Sequence, residues 1–448
     1  MSNQQWSSKL GFVLAAAGSA IGLGAIWKFP YMAGSNGGSI FLIFFILFTV
    51  LIAGPILLAE FVIGRRGKKD AISTFKKLAP STPWPIIGIL GTVVAIIILS
   101  FYSVVGGWIL SYLARSATGG LSNLTQAQYG SLFESIIANP IEVLGAQMIF
   151  MLITIIIVSG GIQNGIEKAS TFMMPALLIL FVVLAIRSLT LEGASEGIAY
   201  LFIPDWSYFT AKTMLLALGQ SFFALSVGVS VMITYASYLT DRDNLGRSTI
   251  SVATLNIIIS ILASLVIFPA VFALGFEPGE GPGLVFVVLP AVFNELAFGG
   301  IFMFVFLVLL LFATLTSAFS ILEIVVASFS RGQDRKRTKY TWLAGALIFV
   351  VGIPSALSFG VLTDITIMNY LIFDFADYIT ASFGLPLGAL LICLFIGFQL
   401  KKEDVYEELQ KGAGVKAKWM PVWYYAIKIL APLAILLIFL QSFEIIKF

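Results

Sequence analysis

Residues 10–34 read LGFVLAAAGSAIGLGAIWKFPYMAG, a stretch apolar enough to cross a bilayer but weakened as a helix in its middle by Gly18, Ser19, Gly22 and Gly24. Inside hydrocarbon a helix can give up backbone hydrogen bonds only where protein or a water-filled cavity shields the freed groups, because lipid offers them no partner. Glycine tolerates the non-helical angles that such a gap demands. The stretch therefore reads as a discontinuous helix whose loose N–H and C=O groups hold something polar near the midplane. The competing reading is a small-xxx-small packing face on Gly18 and Gly22, which lets two helices approach closely.

The surrounding chain is built for a membrane. Its 448 residues are 59% hydrophobic and only 11% charged, with a mean hydropathy of +1.00, whereas about a quarter of a soluble domain is charged. The fold class that follows is an all-α polytopic membrane protein. Eleven apolar stretches reach the length of roughly 20 residues that a crossing takes: 10–33, 39–63, 84–113, 142–159, 169–187, 210–238, 249–275, 300–329, 341–360, 367–399 and 421–443. Segment 284–298 is too short to span and reads as a helical cap in a loop. The first stretch is too long for a signal peptide and lacks a small-residue cleavage site, so it is read as a true span.

Charge sets the expected orientation. Alternate connections carry Arg65, Arg66, Lys68 and Lys69, then Lys168, then Arg242 and Arg247, then Arg335, Lys336, Arg337 and Lys339, then Lys401, Lys402 and Lys411, while the opposite side holds little beyond Arg115, Arg187 and Lys212. By the positive-inside rule the basic loops face the cytoplasm. The expectation is a multi-pass protein of the cell's inner (plasma) membrane with a cytoplasmic N-terminus and, after an odd number of spans, an extracellular C-terminus. Basic runs such as RRGKK read as topology determinants, with no nucleic-acid partner.

The polar residues inside the spans are few. Glu60 lies one turn before the first basic loop, where a carboxylate suits backbone N–H groups freed by an unwound neighbour. Tyr102 sits at the centre of span three, and its hydroxyl needs a partner, whether a ligand or a neighbouring carbonyl. Gly165 and Pro175 bracket a stretch of span five that should unwind readily. Span six is interrupted by GQSFFALSVGVS, five spans after the first gap. Two interrupted helices at corresponding positions of two five-span halves point to a transporter site between the halves. Residues 10–189 and 210–400 would be those repeats and 421–443 an additional span, within one transporter domain over 1–443.

In span eight, Ala313, Thr316 and Ser317 put a carbonyl and two hydroxyls on one helical face. Opposed to loose carbonyls they suit a hard cation; hydroxyls bonding back to their own helix are the alternative. Asn256 reaches mid-depth in span seven. Lys28 at the end of span one and Asp374 and Asp377 in span ten read as an outer gate. With no His, one Cys (Cys393) and no paired carboxylates at mid-depth, nothing supports an intramembrane enzyme.

The motifs AGSAIGLGAIWKFP with SNGG, EFVIGRRG, FFALSVGVSVMITYASY, VATLN and ATLTS cover the chain from Trp6 to span eleven. With them the sequence resembles the bacterial neurotransmitter:sodium symporters. The resemblance implies the LeuT fold, a 5+5 inverted repeat with discontinuous spans one and six plus an eleventh span. It also implies symport of one or two Na+ with a small-molecule amino acid.

Matched position by position, the second sodium site would use carbonyls of Gly18, Ile21 and Ala313 with the hydroxyls of Thr316 and Ser317. The first would use the carbonyls of Ala20 and Ala224, the Asn256 oxygen and the substrate carboxylate. The substrate carboxylate would meet the N–H groups of Leu23 and Gly24 and the Tyr102 hydroxyl. Its ammonium would meet carbonyls of Ala20, Phe223 and Ala224 and the oxygens of Ser226. Its side chain would lie among Ile98, Tyr102, Phe223, Ser226, Val229, Ser317 and Ile321. Gly22 stands where amine-transporting relatives carry an Asp, so the substrate here should bring its own carboxylate. The gates would be Lys28 with Asp377 outside and Trp6 inside. Departures are Ala25 and Ala224 in place of side-chain oxygens, Phe45 and Ser260 among the positions that govern chloride, and Asn3 where an inner Arg is usual.

The function expected is sodium-coupled import of hydrophobic (aliphatic and aromatic) L-amino acids by alternating access. A channel or a substrate-sensing receptor of the same fold is the alternative.

Overall fold

The computed structural model describes residues 4–275, 283–413 and 418–442. Nearly all of it is helix. Among the described residues, nine helices are each long and apolar enough to cross a membrane, and span one crosses as a pair, Lys9–Ala20 and Gly24–Ser35, bent by 53° at its break. Span six makes the eleventh crossing in two shorter pieces, Ala211–Ala224 and Val231–Ala236. The all-α, multi-crossing architecture expected from the sequence is the one the described residues have.

The two gaps arise differently. In span one the chain leaves the helix at Ile21, whose N–H still bonds to the Ala17 carbonyl at 2.7 Å, and resumes as a wide π-turn over Gly24–Lys28. In span six, Ser226, Gly228 and Ser230 all take positive φ (52°, 93° and 66°), which no helix accommodates. Gly228 is obligatory on two counts. Its φ suits glycine, and a Cβ there would meet the Leu385 carbonyl oxygen of span ten at 2.1 Å. Its N–H, freed by the gap, donates to buried Glu60 at 2.7 Å, which meets the expectation for that carboxylate.

Span eight (Gly299–Ser330) packs along span three (Ile86–Ala117) and against the first half of span one. A ring cluster of Trp108, Phe133, Phe286, Phe359 and Phe373 closes one end of the bundle. The opposite end, which carries the basic loops, is tied by buried ion pairs. Arg65 meets Glu408 at 2.6 Å, and Arg337 meets Glu323, which also accepts from Tyr238 at 2.7 Å. Such pairs stabilise only when every lone pair is occupied, and removing one partner costs about 3–5 kcal/mol.

Some elements differ from the sequence reading. Between spans three and four, where the sequence reading assigned no helix, the chain forms one over Gln126–Ala138, started by a Thr125–Gln128 capping box. Span ten begins at Ile372, not 367, because Thr366–Ile367 and Tyr370–Leu371 pair as a hairpin turned by Met368 and Asn369 at positive φ. Span five begins at Ile162 and is helical throughout; Gly165 lies in its opening π-turn and Pro175 inside the helix. The short apolar segment is a helix over Leu284–Asn294. Asn3 lies outside the described residues.

Candidate functional site

The two gaps face each other, and their loose carbonyls are gathered by side chains from spans seven and eight. Thr316 Oγ1 lies 3.1 Å from the Gly18 carbonyl and 3.0 Å from that of Ala313, within reach of its one proton for either. Ser317 Oγ lies 3.1 Å from the Gly18 carbonyl and 3.0 Å from that of Ser19. Gly18 O, Ala313 O, Thr316 Oγ1 and Ser317 Oγ thus form one buried knot of neutral oxygens. Ile21, the remaining residue assigned to this group, caps the half-helix beside it and is fully buried. A set of uncharged oxygens with no carboxylate fits a monovalent hard cation.

A second oxygen group lies across the gap. Asn256, buried in span seven, places its amide nitrogen 3.3 Å from the Ala20 carbonyl and 2.8 Å from the Ala224 carbonyl, joining the two broken spans. Its own Oδ1 is buried without a hydrogen-bond partner. Leaving such an acceptor bare costs about 1–3 kcal/mol. With the amide turned over, Oδ1 would join both carbonyls in a three-oxygen cage, and a cation there would satisfy all three. The residues present therefore fit an ion at this position too.

Next to the ion groups is a cavity of about 40 Å³. Leu23, Gly24, Ile98, Tyr102, Phe223, Ser226, Val229, Ser317, Ile321 and Ala20 all line it; of the substrate residues assigned from the sequence, only Ala224 stays behind the wall. Gly22, matched to the amine carriers' Asp, lines it too, and three further lining residues were not assigned to it from the sequence: Ser19, Val231 and Leu385. Leu385 could not be anticipated, because it arrives from span ten through the contact that requires Gly228.

The Leu23 N–H donates to the Tyr102 hydroxyl at 3.2 Å, and Ser226 Oγ donates to the Ser19 carbonyl at 3.0 Å. The Gly24 carbonyl is taken by Gln220 Nε2 at 2.7 Å. No ionisable carboxylate or ammonium lines the cavity. Its volume is well below the roughly 300 Å³ of an ordinary small-molecule site, so a ligand must push the lining apart.

Above it a second cavity of about 300 Å³ shares Leu23, Tyr102 and Phe223 and is walled by Trp27, Lys28, Phe101, Asp374 and Asp377. Phe223 separates the two. Its ring packs against Gly24, where a Cβ would come within 2.7 Å of it. Lys28 Nζ stands 4.5 Å above the same ring and 3.6 Å from Asp377. At the other end Trp6 donates to the Tyr235 carbonyl at 2.9 Å and packs edge-on against Phe12 and Tyr235. The sequence reading missed Glu167, which accepts from the Ser7 and Ser8 backbone N–H groups at 2.8 and 3.2 Å. It thereby caps the start of span one with a negative charge at a helix N-terminus.

Eleven crossings arranged around two facing gaps, with polar backbone offered to ligands at the gaps and closed contacts at both ends, define a membrane carrier. The comparisons place it further. A sequence profile described as the sodium:neurotransmitter symporter family matches residues 3–131 and 132–448. A sodium-dependent transporter of Bacillus subtilis, YhdH, is 51% identical over 444 residues, covering 99% of this chain and 98% of that protein. One of Haemophilus influenzae is 36% identical over 450 residues, covering 98% of each. The crystal structure of MhsT in complex with L-phenylalanine is 46% identical and superposes with a TM-score of 0.91, covering 98% of this chain and 100% of that one. The chain belongs to the sodium:neurotransmitter symporter family, and is a sodium-dependent membrane transporter rather than an enzyme.

Proposed function

We propose that the chain imports hydrophobic L-amino acids together with sodium by alternating access. The observation that carries this reading is a cavity between two broken spans that offers backbone N–H and C=O groups at one end and only uncharged side chains at the other. A zwitterion's carboxylate would take the Leu23 N–H and the Tyr102 hydroxyl at the N-terminal end of the second half-helix, where the helix dipole favours an anion. Its ammonium would lie by the carbonyls of Ala20 and Phe223. An apolar side chain would fill the space among Ile98, Val229 and Ile321, whereas a charged one would be buried unpaired at high cost.

Gly22 supports a substrate with its own carboxylate. A Cβ there would already sit 2.3 Å from Ser317 Oγ and 2.5 Å from the Tyr102 hydroxyl, so no side-chain acid can be housed without rebuilding the site. L-phenylalanine in the MhsT complex supports an aromatic as well as an aliphatic substrate.

Sodium at the two oxygen groups, one ion or two, would tie the broken spans together and complete the substrate site. The basic loops would face the cytoplasm, leaving Trp6 as the inner closure and Lys28 with Asp377 as the outer one. Residues 10–189 and 210–400 would be the two five-span repeats, and 421–443 an additional span.

The test is uptake of radiolabelled L-leucine and L-phenylalanine into proteoliposomes. Saturable uptake that needs an inward sodium gradient and is competed by other hydrophobic amino acids, but not by lysine or glutamate, is expected. Uptake indifferent to sodium, or competed equally by lysine, would sink the reading.

A further inference from the structure

Lys428 is out of place. It lies eight residues into the last span, Met420–Gln441, about 12 Å along the helix from its start. A charge inside an apolar span needs a reason.

Its surroundings are built to hold it there. Span ten presents Gly397 to it, where a Cβ would come within 3.1–3.2 Å of the Lys428 stem and Cα, so only glycine lets the two helices close to this distance. Tyr424, one turn earlier, ties the same place by donating to the Gly397 carbonyl at 3.2 Å. The Lys428 ammonium then sits 4.6 Å above the Phe398 ring and 5.9 Å from the centre of the Tyr424 ring.

A second ammonium comes to the same ring. Lys402, from the helix Lys402–Gln410 that links the two spans, lies 5.5 Å from the Tyr424 ring centre and 5.0 Å from that of Tyr425. Among the described residues neither lysine has a carboxylate within ion-pair distance, although other cations on this face, such as Arg65, Arg66, Lys68 and Lys411, all do. Glu403, the nearest acid in sequence, is exposed. Two like charges therefore flank one phenol with aromatic faces but no anion of this chain. Directly beside them the surface turns apolar: Phe398 is 64% exposed, Val422 73% and Tyr425 53%.

We infer that this surface patch at the junction of spans ten and eleven binds an anionic phospholipid. Its phosphate lies between the Lys402 and Lys428 ammoniums, and its first acyl carbons lie on Phe398 and Val422. Snorkelling alone explains a lone lysine; it does not explain two ammoniums, neither with a carboxylate partner among the described residues, brought to one ring beside exposed apolar surface. The leaflet, cytoplasmic, follows from the orientation proposed above, but the binding itself does not depend on that orientation or on the substrate.

The experiment uses the full chain purified in a neutral detergent and follows its thermal unfolding during titration with phosphatidylglycerol, phosphatidylcholine or inorganic phosphate. Phosphatidylglycerol should raise the midpoint saturably and the other two should not. Each lysine near a headgroup contributes about five-fold to such binding, so Lys402→Gln with Lys428→Gln should weaken the response roughly 25-fold. Lys402→Arg with Lys428→Arg should retain it. As a control, Lys336→Gln with Lys339→Gln removes two exposed charges from the same face and should leave it unchanged.

An equal response to free phosphate would mean an anion site that no lipid is needed to fill. Equal loss in the control pair would mean nothing more than general surface charge. Either result, or an undiminished response in the double glutamine variant, would overturn the inference. Should that variant not fold, counting the phosphatidylglycerol and phosphatidylcholine molecules that stay on the unmutated protein in native mass spectrometry decides the matter. No preference for the anionic lipid there would overturn it as well.

Discussion

Replacing Gly22 with Ala adds one methyl group at the centre of the site. The added carbon would lie 2.3 Å from Ser317 Oγ, 2.5 Å from the Tyr102 hydroxyl and 3.0 Å from Ser317 Cβ. Neither neighbour is the tip of a long flexible chain. Ser317 is short and held by two carbonyls, and the Tyr102 ring is fixed in span three with its hydroxyl on the Leu23 N–H. Overpacking of this kind costs about 1–3 kcal/mol. Because the strain falls on the groups that would receive the substrate carboxylate, the same amount should appear in binding, weakening it about five- to 150-fold.

The assay is equilibrium binding of radiolabelled L-leucine to purified protein at saturating sodium. Gly219→Ala is the control. It adds a methyl to span six with nothing within 4 Å and replaces a helical glycine, so binding should be unchanged and stability slightly raised. If Gly22→Ala bound leucine within two-fold of the unmutated protein while remaining folded, Gly22 would not line the substrate site and the reasoning would fail.

Thr316→Ala removes a hydroxyl from the oxygen knot and should raise the sodium concentration for half-maximal uptake about ten- to 150-fold, as expected when a bond of about 1.5–3 kcal/mol to a charged partner is lost; an unchanged sodium curve would remove Thr316 from the ion site. Glu323→Gln removes the counter-charge of buried Arg337 and replaces one of the two oxygens that Arg337 uses with an amide NH2 donor, and should destabilise the fold by about 3–5 kcal/mol, read as a lower unfolding midpoint in detergent. Asp241 feels burial that raises its pKa, but Lys68 at 3.3 Å, helped by Lys411 at 3.6 Å, outweighs it and holds the carboxyl below its ordinary 3.8. A depressed pKa contributes stability above the unfolded value that is lost as pH falls through the folded one. Asp241→Asn should therefore flatten the acid limb of a stability profile taken from about pH 6 to pH 3, and an identical acid limb would refute the pairing.

Much of this was legible in the residues because the membrane is a severe solvent. An uninterrupted apolar run of about 20 residues has one use, so the spans followed from length and hydropathy alone. A Gly- and Ser-rich interruption in such a run has few explanations, so both gaps, and the residues flanking them, could be located before any coordinates. Gly18, Tyr102, Asn256, Thr316 and Ser317 stood out as polar or small residues where lipid would exclude them, and the structure gathers all of them around the gaps.

What only the tertiary structure decided are contacts between residues far apart in the chain, for which no local pattern exists. Leu385 enters the cavity wall because span ten crosses Gly228. Glu167 caps span one from span five, though its own helix gave no sign of it. Phe223 divides one cavity from the other only because Gly24 leaves room for its ring. The Lys428 position looks like an isolated charge in the sequence, and becomes half of a site only when the linking helix folds back to bring Lys402 beside it. Hydropathy acts residue by residue and is written along the chain, whereas shape complementarity and charge pairing exist only once distant helices touch.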